Sequence, residues 1–112
     1  MSDAQLMKGV SPVLVLQAVA SRPRSGPEIL AEIAARSGDA LTMPQGTLYP
    51  LLYRLERQGL LRAAWRAASA EAGKRRMREY ALTAKGTAEL ARGRRSVLEL
   101  SSMLQLLLGG AT

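Results

Sequence analysis

The last quarter of the chain sets the strongest constraint on its fold. Thr83 is placed to cap a helix, no proline follows it, and one helix can run from there to about Leu108. At 1.5 Å per residue that helix is roughly 37 Å long, too long for a domain of 112 residues to cover. Leu90, Val97 and Leu104 recur every seven residues, and so do Gly93, Leu100 and Leu107. The two series interleave by threes and fours, which is a heptad seam with Gly93 as its one weak position. Met103, Leu106 and Leu108 widen the seam beyond a simple two-helix contact. The pattern predicts that a second copy of the chain covers this helix, with Leu90, Val97, Leu100, Met103, Leu104 and Leu107 as the dimer contacts.

Upstream, three shorter helices are expected. Ser11-Pro12 opens the first, which ends by Ser21, and Arg22-Pro23-Arg24 reads as a turn. Ser25-Gly26-Pro27-Glu28 has the form of a capping box. It starts a second helix with Ile29, Leu30 and Ile33 on one face, Arg36 near its end and Gly38 as its stop. Thr42-Met43-Pro44-Gln45 repeats the capping device. In the third helix Leu48, Leu51, Leu52 and Leu55 form one apolar stripe of period 3.6. The opposite face carries Gly46, Tyr49, Pro50, Tyr53 and Arg57, with Thr47 and Arg54 at its flank. The ring of Pro50 meets the backbone at Gly46, which can adjust to it, and Gly59 ends the helix. Residues 60–66 and 77–82 then read as two strands joined by a long basic connection, with Trp65 as a packing residue.

Three helices followed by a hairpin is the order of a winged helix-turn-helix, in which the third helix enters the major groove and the hairpin is a wing. The expected fold is therefore mainly α with a small β-hairpin: residues 1–82 as a DNA-binding domain, and residues 83–112 as a dimerisation helix forming one compact unit with it. Charge supports the reading. The chain has 16 Lys and Arg against 9 Asp and Glu, a net +7, while 47% of its residues are apolar, so it is basic without being a disordered tail. Arg54, Arg57, Arg62, Arg66, Lys74, Arg75, Arg76 and Arg78 all fall in one stretch against only Glu56 and Glu71. Such clustering suits phosphate neutralisation. On this reading Gln45, Tyr49, Tyr53 and Arg54 face base edges or adjacent sugar. Thr47 and the helix amides hold phosphate, and Lys74, Arg75 and Arg76, with Arg57, extend that grip.

Other functions are narrowed by what is missing. The absence of His and Cys removes thiol and imidazole chemistry, disulfides and zinc sites, and the nine acids are scattered. No enzyme and no cofactor is expected. No apolar run approaches the roughly 18 residues of a membrane span. The apolar stretch after Lys8 is broken by Ser11, Pro12 and Gln17, so it reads as a mature helix rather than a leader, and a cytoplasmic protein is expected. The alternative to a DNA-binding regulator is a winged-helix module whose basic, Tyr-bearing face docks an acidic protein.

Gly46-Thr47-Leu48-Tyr49-Pro50, continuing through Leu51-Leu52-Tyr53-Arg54-Leu55-Glu56-Arg57-Gln58-Gly59-Leu60, closely resembles the recognition-helix signature of PadR-like transcriptional regulators. Residues 16–29 are similar to the family's first helix and the turn into its second. Tyr80-Ala81-Leu82-Thr83 with Lys85-Gly86 resembles the end of its wing and the start of its last helix, so the resemblance covers about residues 9–90. It implies a homodimeric winged-helix repressor on inverted-repeat DNA, of the branch with a single long C-terminal helix. Two departures stand out. Ser25-Gly26-Pro27-Glu28-Ile29 occupies the place of a His-Gly-Tyr-Glu-Ile type turn, and the paired aromatics of the last strand are reduced to Glu79-Tyr80. Some relatives hold flat aromatic effectors between terminal-helix tryptophans. Here no aromatic follows Tyr80, which leaves any sensing of a small apolar effector to a cavity between dimer helices.

Overall fold

The computed structural model describes residues 7–66 and 76–109. In chain order the elements are α1 (Ser11–Ala18), β1 (Arg24–Ser25), α2 (Gly26–Arg36), α3 (Gln45–Arg57), β2 (Leu61–Arg66), β3 (Met77–Leu82) and α4 (Ala84–Leu107). This is the winged helix with a long C-terminal helix that the sequence predicts. The connection expected at the wing tip, with Lys74 and Arg75, lies outside the described residues.

The leucine stripe of α3 organises the core. Leu48, Leu51, Leu52 and Leu55 are all buried, against Val15, Leu16 and Val19 from the first helical segment and Ile29 and Ile33 of α2. Each fully buried aliphatic side chain contributes about 1.5–3 kcal/mol, so this stripe is what fixes the opposite face of α3 toward solvent. The sheet closes the core with Leu61 and Tyr80. Its strands run antiparallel in the order β1-β3-β2. In register, Leu61 faces Leu82, Ala63 faces Tyr80 and Trp65 faces Arg78, while Arg24 of β1 pairs with Tyr80. The sequence reading has Arg24 in a turn. Two residues are too few to show a strand's alternation, and only the pairing with β3 defines it.

The helix ends sort into expected and corrected. The capping box of α2 is formed: the Glu28 amide donates to Ser25 Oγ at 3.3 Å and the Ser25 amide to Glu28 Oε1 at 2.8 Å. Gly38 follows that helix at φ +62° and Gly59 follows α3 at φ +78°, backbone that glycine adopts without strain. Thr42 does not cap α3. Pro44 takes that place at φ −64°, ψ 147°, with no side-chain cap bond, and its carbonyl accepts from the amides of Thr47 and Leu48, each at 3.0 Å. Nor does Ser11 cap α1. The cap residue is Val10, and Ser11 Oγ instead donates to the Met7 carbonyl at 2.8 Å, one turn back. The first helix ends before Ser21 as expected, with Val19 as its C-cap.

At α4, Thr83 is the N-cap: its hydroxyl accepts from the Gly86 amide at 2.9 Å and donates to the Gly59 carbonyl at 2.6 Å. A Cβ at Gly86 would run into the Leu60 carbonyl oxygen, so only glycine lets the helix start this close to the end of α3. One turn further Leu90 is 6% exposed and belongs to the chain's own core. A Cβ at Gly93 would stand 2.8 Å from Val13 Cγ2. Leu90 thus packs into the chain's own core and Gly93 lets α4 approach Val13 of α1, so the first two positions of the expected seam are covered within one chain. Beyond them Leu98, Leu100, Met103, Leu104, Leu106, Leu107 and Leu108 are exposed, and Val97 is half-buried. The projecting helix stretches the molecule to 55 × 29 × 24 Å. The radius of gyration is 15.8 Å, against about 13 Å for a compact domain near this length.

Candidate nucleic-acid interface

With the leucines turned inward, residues four apart on α3 line up along its outer face. Gln45, Tyr49, Tyr53 and Arg57 form that ridge, and all are exposed. Tyr53 is 63% exposed and the Arg57 guanidinium lies 5.2 Å from its ring centroid, so one turn of the ridge is held by a cation–π contact. Tyr49 is 43% exposed and only partly free, because its ring rests on the start of α2. A Cβ at Gly26 would stand 2.6 Å from the Tyr49 hydroxyl oxygen. Thr47 and Arg54 are exposed on the flank. The Thr47 amide is committed to Pro44, so the part of Thr47 left for an outside partner is its hydroxyl. Thr47 and Arg54 also border a groove of about 540 Å³ that runs past Lys8, Met43 and Leu51.

The basic stretch divides in two. Arg66 is an internal anchor: its Nη2 donates to Glu28 Oε1 at 2.7 Å, its Nη1 to Glu28 Oε2 at 3.3 Å, and its Nε to Glu79 Oε2 at 2.9 Å. This three-residue cluster spans β2, β3 and the first turn of α2. The Arg66 hydrogen bonds, then the Ser25 amide, hold the Glu28 carboxyl down at about 2, below the usual carboxylate range. Arg78 is also committed, with Nη2 donating to the two Glu56 oxygens at 3.1 and 2.8 Å. It ties β3 to the last turn of α3. Two cations of the charge cluster therefore tie the wing to the helices, Arg66 half-buried and Arg78 still exposed. Sequence counting missed this because the partner carboxylates lie 38 and 13 residues from Arg66 and 22 from Arg78.

Trp65 also departs from expectation, being 58% exposed. Side-chain alternation puts it on the sheet face of Leu61 and Ala63, the packing face, which is why it reads as a core residue. The core ends at Tyr80, opposite Ala63, and Trp65 lies one step past that edge. It is flanked instead by the guanidiniums of Arg76 and Arg78, 5.9 and 5.8 Å from its ring. Tyr80 beside it is buried, and desolvation pushes its phenol pKa up. Between this face, Tyr49 and the start of α2 lies a cleft of about 450 Å³, bordered by Arg76 and Arg78. Of the expected site residues, the fold thus gathers Gln45, Thr47, Tyr49, Tyr53, Arg54 and Arg57 on one helix, with Arg76 at the wing beside it. No group of three or more acidic residues among the described ones is arranged to hold a metal, and no helix there is long and apolar enough to cross a membrane.

Comparison with known proteins agrees with this architecture. Residues 15–92 match the transcriptional regulator PadR-like family. An uncharacterized protein of Lysinibacillus sphaericus is 26% identical over 110 residues, 98% of each chain. Among solved structures, a PadR family transcriptional regulator from Eggerthella lenta is 27% identical with a TM-score of 0.77, over 94% of this chain and 87% of that one. A PadR-like transcriptional regulator from Bacillus cereus shares the fold at a TM-score of 0.76 and 24% identity, over 93% of this chain and 96% of that one.

Proposed function

The chain belongs to the PadR-like family of transcriptional regulators, and from that premise we propose that it is a cytoplasmic, homodimeric repressor of inverted-repeat operators. One α3 enters the major groove of each half-site. Gln45, Tyr49, Tyr53 and Arg54 meet base edges or the adjacent sugar. Thr47 and Arg57 take phosphate, and Arg76, with Lys74 and Arg75 at the wing, lengthens that grip. Val97, Leu100, Met103, Leu104 and Leu107 meet their counterparts on the second chain and set the half-site spacing.

The observation that carries this reading is the division of α3. Its four leucines are all spent on the core, and a ridge of polar, aromatic and basic side chains is left pointing outward. Binding-site selection from randomised duplexes is the test, followed by affinity measurements across a salt series. An enriched inverted repeat is expected, with log affinity falling linearly against log salt. Replacing Lys74, Arg75 and Arg76 together by Ala should flatten that slope by roughly 0.9 for each phosphate no longer neutralised. Selection without any enriched motif, and binding indifferent to salt, would refute the proposal. Expression of a reporter placed downstream of the selected site separates repression from activation.

A further inference from the structure

The wing carries one group that the basic-grip picture leaves unused. Trp65 is the only tryptophan of the chain, and a ring this exposed sits at a place where burial does not explain it. Three observations bear on its use. It lies on the sheet face turned toward α3, since its cross-strand partner Arg78 is bound to Glu56 on that helix. Its ring is set beside two guanidiniums, Arg76 and Arg78. Those same guanidiniums border the cleft that separates the wing from Tyr49. An exposed indole beside two cations that themselves border the cleft between wing and α3 offers an apolar plate and donors side by side. A sugar–phosphate backbone presents the complement, an apolar deoxyribose face next to anionic oxygens.

We propose that Trp65 is a backbone contact: one strand of the duplex passes between α3 and the wing, with a deoxyribose packed on the indole and the adjoining phosphate on Arg76. The inference rests on the DNA-binding reading above. Arg78 stays with Glu56, whose carboxylate it neutralises, and holds the ring in place. The contact is blind to base identity, so it raises affinity for every sequence alike. It is also largely indifferent to salt, because an indole releases no counterion. In both respects it differs from a base contact and from Arg76.

The single tryptophan makes the test direct. Indole emission and its quenching by acrylamide are followed while the full-length protein is titrated with unlabelled duplex, and binding is measured in parallel by anisotropy of a labelled duplex. The emission should change, and the quenching fall, with the same midpoint as the anisotropy. Trp65→Ala should weaken binding about fivefold on selected and unrelated duplexes alike, in the range of one aromatic contact, with the salt slope unchanged. Trp65→Phe should restore most of the affinity. Emission and quenching that stay constant while anisotropy saturates overturn the inference and leave the DNA reading standing. So does a Trp65→Ala protein with lower thermal stability and unaltered affinity, which makes the ring a structural cover for the Arg78–Glu56 pair. An anisotropy that never rises with the unaltered protein overturns the DNA reading itself, and this inference with it.

Discussion

The two halves of α4 share one helix and one heptad pattern, yet they are used differently. In the first half Gly86, Leu90 and Gly93 press the helix onto the end of α3 and onto Val13 of α1. In the second half Leu100, Met103, Leu104 and Leu107 stand in the open. Apolar periodicity identifies the face of a helix that must be covered, but it is silent on whose atoms do the covering. The glycines carry that second piece of information. Where they occur the backbone approaches its own chain closely, and where they cease the leucines stay exposed.

The strongest way to break this contrast is Leu90→Ala. It should remove about 3 kcal/mol from the stability of the chain, read as a shift of the denaturant midpoint that is the same at low and high protein concentration. A destabilisation that appears only at high concentration would place Leu90 between chains. Leu100→Glu is the opposite case. It should leave the fold of each chain intact, give monomers in sedimentation, and lower affinity for a two-half-site operator on the order of 100-fold, the gain that linking two binding units provides. A dimer that persists would show that the two chains meet somewhere other than the distal leucines.

Acid should separate the regions more gently. Glu28 is held at about 2 in the folded chain, below its ordinary 4.5. The stability it contributes is therefore complete above the ordinary value and is lost as pH falls from about 4.5 toward 2. The effect belongs to the packed body, is about 1 kcal/mol for a half-exposed pair, and should vanish from acid unfolding curves of Glu28→Gln. The smallest expected change is Gly93→Ala. Helix propensity favours alanine by about 1 kcal/mol, while a methyl 2.8 Å from Val13 Cγ2 requires that side chain or the helix to shift, so the two effects nearly cancel. A destabilisation well above 1 kcal/mol would mean that α1 and α4 are fitted more rigidly than the contact suggests.

Much of this arrangement was legible in the residues, for local reasons. A leucine stripe needs only its own spacing to be read, and the capping box of α2 spans four consecutive residues. What escaped was decided across longer distances. Thr42 had the right chemistry for a cap, but Pro44 already supplied an extended backbone and a carbonyl at the helix start. Arg66 and Arg78 count as cations in any tally, and only folding brings Glu28 and Glu56 to them. Trp65 sits at a core position of the strand's alternation and misses the core because the sheet outruns it. The expected base and phosphate contacts on α3 all stand at the surface, four in one row with Thr47 and Arg54 on its flank, which periodicity could foresee. The rest of Tyr49 against Gly26 joins two helices that no local pattern connects.

That last contact limits how far α3 can be treated as an exchangeable cassette. Grafting a foreign recognition sequence onto this scaffold would change the residue at position 49 but not the floor beneath it. Any replacement side chain inherits the space defined by a single hydrogen at position 26. Retargeting the protein is therefore a two-helix problem, and libraries that vary α3 alone sample only those solutions compatible with a glycine underneath.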